Sequence, residues 1–401
     1  MRDKRRHSLH AVYGVRKPRI NYVESDFVDY AAMIALSALT IKLSYGVAHI
    51  LCRVGLALCA LMLATFVVRH GVELNIPVIL KRPQDLVHML TYKLRNLTPI
   101  YFIAVAVLVL ENVLISATPN LPHRVELMRT IGFYLFYAHL ICITVYRTAI
   151  LVDHLAKKEL VREVLLQTPW KRALHERTSI TLEILHAFCT GLLTHIILIA
   201  PWYLVISYSS FSVVFFPLVC LINVVVHRKW FEVVNVWYYR DHWLGHNSEL
   251  EFVYLHGTHH DAIPSGMIGV AGNGLLEGFL RYTIGWPSSF YNPVVSFIII
   301  SAGVRIDIDG HQYIPGVLPR LSRSLKELNQ HSTHHYGALA PYGLAMKMDQ
   351  PDVPEEVRKI VNLYPSQLRN TIELDEELTG FKWDNPFQRK LLSLYDKYQK
   401  R

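Results

Sequence analysis

Long apolar runs constrain this chain more than any other feature. Tyr30 to Val68 is a double-length stretch, interrupted by Lys42 and by Gly46 to Arg53. Leu97 to Ala117 and Met128 to Val152 are single runs. Thr181 to Val226 is double again, with Pro201 and Ser207-Tyr208-Ser209-Ser210 marking a turn. A helix needs about 20 apolar residues to cross a bilayer. Several of these runs reach or approach that length, so they read as spans rather than as core strands. The expectation is an all-α integral membrane protein with about six transmembrane helices, arranged as three hairpins. A weaker stretch, Trp286 to Val304, opens with Pro287 and reads as re-entrant or interfacial. Composition agrees: 18% of the 401 residues are charged and the mean hydropathy is +0.23, whereas a soluble domain carries about a quarter charged residues.

Loop charges orient the spans through the excess of Lys and Arg on the cytoplasmic side. The N-terminus carries Arg2, Lys4, Arg5, Arg6, Arg16, Lys17 and Arg19. The segment after the first hairpin carries Arg69, Lys81, Arg82, Lys93 and Arg95, and the one after the second carries Lys157, Lys158, Arg162, Lys171, Arg172 and Arg177. The short turns between them are nearly free of such charge, with Arg53 and Arg124 as exceptions. This alternation puts the N-terminus, both long loops and everything beyond Val226 on the cytoplasmic side. The net charge of +9 is thereby explained by topology and lipid headgroups, and no nucleic-acid partner is expected. The polar first twenty residues do not form a cleavable signal peptide. All five cysteines (Cys52, Cys59, Cys142, Cys189, Cys220) lie inside apolar spans, where they serve as small hydrophobes rather than as disulfides or thiolate ligands.

Three parts follow. Residues 1–178 hold the basic N-terminus and two hairpins, residues 179–350 hold the third hairpin and a histidine-rich region, and residues 351–401 form a charged tail. The histidine-rich region is a cytoplasmic helical domain. Nine of the 21 histidines fall between His242 and His335. They read His242-Trp-Leu-Gly-His246, His256-Gly-Thr-His259-His260 and His331-Ser-Thr-His334-His335, with a single His311 in the turn-like context Asp307-Ile308-Asp309-Gly310. Residues at i, i+3 and i+4 share one helix face, so each cluster presents two or three imidazoles to the same place. Arg228 to Gly245 reads as a helix stopped by Gly245-His246-Asn247, and Ser248 with Glu251 forms a capping box that starts the next. That helix carries His256, His259 and His260 and closes at Pro264; the third cluster ends a helix over 322–335. Neutral imidazole binds iron, zinc, copper or nickel. So many convergent imidazoles exceed the needs of one tetrahedral zinc and point to two metal ions. For His49, His139, His186 and His195, scattered in the spans, the reading is an ordinary hydrogen-bonded core or surface residue, with a proton or ion path as the minor alternative.

These residues carry a resemblance. The chain is similar over about 179–350 to the fatty acid hydroxylase/sterol desaturase superfamily, in the boxes His242/His246, His256/His259/His260, the isolated His311, and His331/His334/His335. It departs from the family in having Asn247 where many members carry a further histidine, and in matching the downstream pattern only partly at Tyr342-Gly343 and Met348-Asp349. First and second boxes that are nearly contiguous set it apart from the acyl-CoA desaturases. The resemblance implies that all nine histidines hold two iron ions, that dioxygen is the co-substrate, and that an unactivated C–H bond of a lipid or sterol-like molecule is hydroxylated or desaturated. It also implies an external electron donor, a redox partner such as cytochrome b5 or a ferredoxin docking on the basic face, since no fused donor domain is visible. Asp241, Asp261 and Asp349 are candidates to accept hydrogen bonds from ligand imidazoles. Aromatic residues around the boxes, among them Trp230, Trp237, Trp243, Tyr254 and Tyr336, line a tunnel from the bilayer or form an interfacial belt. Gly269 to Gly274 lacks the strand and the ribose-binding acid of a dinucleotide fingerprint and reads as a surface loop. Two alternatives stay open: a histidine-rich metal transporter, which needs ligands within the spans, and a zinc-dependent membrane hydrolase, which needs only about three ligands.

Overall fold

The computed structural model describes residues 27–72, 125–159, 179–208 and 293–311, with isolated positions at 87, 106–117, 162 and 217–225. Among the described residues every regular element is an α-helix: α1 (Phe27–Tyr45), α2 (Ile50–His70), α3 (Val125–Ala156), α4 (Ile180–Leu198), α5 (Ala200–Tyr208) and α6 (Pro293–His311). Three stretches are long and apolar enough to cross a membrane: Ile50–Val68, Glu126–Ala156 and Ile180–Tyr208. The apolar parts of α1 (Tyr30–Tyr45) and α6 (Pro293–Arg305) are shorter. Most of the run 97–117, and everything of the third hairpin beyond Tyr208 except a few isolated positions, lies outside the described residues.

The first apolar run divides where its interruption lies. Gly46 has φ 76°, a conformation that suits glycine, and its N–H donates to the Lys42 carbonyl at 3.0 Å. The chain reverses there, and α2 packs back along α1. Gly55 permits the close approach, since a Cβ at that position would lie 2.8 Å from Ile41 Cδ1. At the other end of α2, Gly71 has φ 74° and its N–H closes the helix on Val67 O at 2.8 Å.

Pro201 does not turn the chain, contrary to the sequence expectation. It falls in the first turn of α5, where the missing N–H costs little. The ladder is bridged by Ile199 N–H to His195 O and by Tyr203 N–H to Ile199 O, both at 3.1 Å. Residues 180–208 therefore run as one apolar stretch of 29 residues. The segment expected to be re-entrant or interfacial contains α6, which starts at Pro293 and packs along α3. The helix continues through Asp307 to Gly310, so His311 ends a helix and not a turn.

Thirteen of the 19 residues of α4 are buried, and it contacts α1, α2 and α3. Side-chain contacts set the register. Tyr45 Oη donates to Ile196 O at 2.6 Å, and Thr65 Oγ1 lies 2.7 Å from His186 Nδ1. A Cβ on Gly132 would sit 3.2 Å from both Ile206 and Pro293. One end of the bundle, the turn end, thus gathers the α1–α2 turn, the start of α3, α5 and the start of α6. The far end gathers the start of α1, the end of α3, the start of α4 and the end of α6.

Large apolar side chains face outward and polar ones inward. Leu43 is 74% exposed, while on α3 Ile141 and Val145 are 64% and 63% exposed and His139 and Arg147 are buried at 0% and 2%. The core itself is mostly apolar, as in a soluble bundle, but a soluble bundle would cover its outside with polar side chains. An apolar exterior enclosing buried polar groups fits a hydrocarbon surround, in which only the interior offers hydrogen-bond partners.

Candidate functional site

Eight of the nine box histidines (His242, His246, His256, His259, His260, His331, His334 and His335), with Asp241, Asp261 and Asp349, lie outside the described residues. His311 alone is placed, and for its backbone only, as the last residue of α6. Two contacts fix its level. Gly132 lies against Pro293 and His139 Nδ1 is 2.7 Å from Ser301 Oγ, so α3 and α6 run parallel. That register carries His311 level with Ile150, close to the end of α3 at the far end of the bundle.

The described helices hold a second population of polar groups, buried inside the bundle. On α3, His139, Arg147 and His154 share one face with Ile143 and Ile150, all five buried. On α4, Glu183, His186, Thr190 and Thr194 recur at i, i+3, i+7 and i+11, and all are buried. Both patterns have helical period, so the signal for Arg147, His154 and Glu183 lies in the recurrence of polar residues along one face of an apolar run, which single positions do not show.

Between α3 and α4, His139 Nε2 stands 2.9 Å from His195 Nε2, with ring centroids 5.0 Å apart. Two imidazoles on one zinc at about 2.0–2.1 Å in tetrahedral geometry would hold their nitrogens roughly 3.3 Å apart. A separation of 2.9 Å is instead that of a hydrogen bond, so one ring donates and the other accepts. Ser301 Oγ occupies the remaining nitrogen of His139. Among the described residues, buried His195 Nδ1 finds no hydrogen-bond partner, and neither does Trp202 Nε1, whose ring lies 5.6 Å from that of His139. His186 pairs with Thr65 across to α2, and Thr190 Oγ1 donates to His186 O at 2.8 Å. Among the described residues, no group of three or more His, Cys, Asp or Glu side chains is arranged to hold a metal ion.

At the turn end, His49 caps α2 and also lies 2.8 Å, through Nε2, from Tyr137 Oη. Burial lowers its pKa from the ordinary histidine value. Beyond the end of α3, Lys157 pairs with Asp153 at 2.7 Å, and Lys158 and Arg162 are exposed. Cys52, Cys59 and Cys189 are buried in the core, as small hydrophobes should be, while Cys142 is exposed on the outer face of α3.

No family model matches this chain, and no curated protein or solved structure compared with it shows significant similarity.

Proposed function

We propose that this chain is a multi-pass membrane oxidoreductase that uses dioxygen to hydroxylate or desaturate a lipid or sterol-like substrate at an unactivated C–H bond. The observation that carries this reading is the spacing of the nine histidines, in three helical clusters and one isolated position, following helices of membrane-spanning length. The donor set suits the chemistry. Neutral imidazoles leave a bound metal pair strongly Lewis acidic, with positions open to oxygen. Two iron ions so held would supply oxygen activation and hydrogen abstraction.

The chain's own residues have other tasks in this scheme. His242, His246, His256, His259, His260, His331, His334 and His335, with His311 at the end of α6, bind the metals. Asp241, Asp261 and Asp349 orient the imidazoles by accepting their N–H groups. The apolar outer faces of the helices keep the substrate in the bilayer until it reaches the clusters. With about six spans, the clusters lie on the cytoplasmic side. The exposed cations beyond α3, Lys158 and Arg162, offer an acidic electron-transfer protein a docking point there.

Metal transport is the second reading, favoured by the histidines buried within the spans, His139, His186 and His195. A labelling experiment separates the two. Protein in vesicles of host lipid is supplied with reductant and ¹⁸O₂, and the lipids are then analysed by mass spectrometry. An oxygenase inserts one labelled oxygen atom, or removes two hydrogens, and loses both outcomes in His259→Ala/His260→Ala. Unchanged lipid together with metal uptake into the vesicles would move the assignment to transport.

A further inference from the structure

His49 holds the start of α2 in a way that depends on its charge. Its backbone is extended, at φ −74° and ψ 142°, as befits an N-cap, and its Nδ1 accepts the Leu51 N–H at 3.1 Å. Accepting requires a lone pair on Nδ1. The remaining ring proton must then sit on Nε2, which donates to Tyr137 Oη at 2.8 Å. Only the neutral ring in that one tautomer makes both bonds. Ser, Thr, Asp and Asn are the usual N-caps and accept a hydrogen bond at any ordinary pH; histidine caps only while unprotonated.

The surroundings decide how a proton would be received. From α1, Tyr45 stacks on the ring at 5.5 Å and 16°; from α5, Tyr203 lies at 4.8 Å; from α3, Tyr137 holds Nε2. Tyr45 is itself anchored through its hydroxyl to Ile196 O on α4. Among the described residues, no carboxylate contributes to the shift of the ring's pKa, which burial causes. The charged side chains closest in sequence are cations: Lys42 near the end of α1 and Arg53 one turn into α2, both exposed. On α3, Arg129 and Glu126 lie two to three turns before Tyr137. Contact of an imidazolium with tyrosine faces favours the proton by roughly two- to fivefold. Loss of the cap opposes it by about fivefold, and a positive charge at a helix N-terminus opposes it by a further two- to fivefold. Opposition wins. Exposed Val47 and Ala48 in the turn leave the ring within reach of solvent protons.

We propose that His49 is a pH-sensitive cap, whose protonation from the turn end of the bundle releases the first turn of α2 while the bond to Tyr137 persists. The Nε2 proton stays in place when Nδ1 gains one, so the contact to α3 survives and the loosening is local to the α1–α2 turn. Burial lowers the folded-state pKa. The sign follows: the cap is fully present above the ordinary histidine value of about 6.5 and is lost as pH falls through the lower folded value.

Amide hydrogen exchange on the full chain in phosphatidylcholine nanodiscs tests this, with rates corrected for their intrinsic pH dependence. Between about pH 7.5 and about pH 5, amides in the first turn of α2 should lose roughly fivefold protection while those in the middle of α3 hold theirs. His49→Asn, which caps without titrating, should keep the protection throughout, and His49→Ala should lack it throughout. Wild-type protection that stays flat across this range, or acid loss of equal size in His49→Asn, would overturn the proposal. Neither readout depends on metal or on lipid oxidation.

Discussion

At the scale of single residues, the meeting of His139 and His195 is the most consequential contact in the described bundle. Removing one partner of a buried pair strands the other, at about 1–3 kcal/mol, whereas replacing both by apolar groups spares that penalty. His195→Leu should therefore destabilise the protein, and His139→Phe/His195→Leu should cost less than the sum of the single changes. Interhelical hydrogen bonds in membrane proteins average about 0.6 kcal/mol and reach roughly 1–2 kcal/mol, so the coupling should fall in that range. Unfolding in mixed detergent micelles measures it, and strict additivity would show that the 2.9 Å contact carries no energy. The sequence leaves both histidines as ordinary hydrogen-bonded residues of core or surface, and the structure buries and pairs them. Which partner each would find was not legible, because His139 and His195 are 56 positions apart and Ser301 is 162 from His139. Such pairings are set by packing, which periodicity does not encode.

Among the elements, close approach rather than composition fixes how the helices sit. Gly132 is a point of close approach on α3, where an added Cβ meets Ile206 of α5 and Pro293 of α6 at 3.2 Å. Gly132→Val should push both helices outward, at a cost of about 1–3 kcal/mol. Gly303 on α6 has nothing within 4 Å of such a Cβ. Gly303→Ala should accordingly be neutral, or stabilising by up to about 1 kcal/mol from helix propensity. Thermal unfolding of the two variants side by side checks the contrast; equal effects would mean that α3, α5 and α6 are not packed through Gly132. The α1–α2 turn was legible in the sequence, because the interruption of the first apolar run opens at Gly46, which adopts positive φ. Helix positions were misread at Pro201 and before His311. Proline in the first turn of a helix leaves the path intact, and Asp307 to Gly310, turn-like by composition, continue a helix that packs on α3 and buries Val304 and Ile308.

For the whole molecule, the described helices present an apolar exterior and bury several polar groups, which suits a chain set in a bilayer. Among the described residues, three helical stretches are long and apolar enough to cross it. The α3 helix, at 32 residues, extends to about 48 Å and outreaches a hydrocarbon core of about 30 Å. His311 is carried by α6 to the same end of the bundle as the end of α3. The histidine boxes were the plainest signal in the sequence, because ligand spacing on a helix is a local property. Their convergence is a tertiary property, and metal content reads it directly. Gently purified protein should hold two irons per chain, and His259→Ala/His260→Ala should lose them. One zinc per chain, or no tightly bound metal in the unaltered protein, would contradict the di-iron assignment.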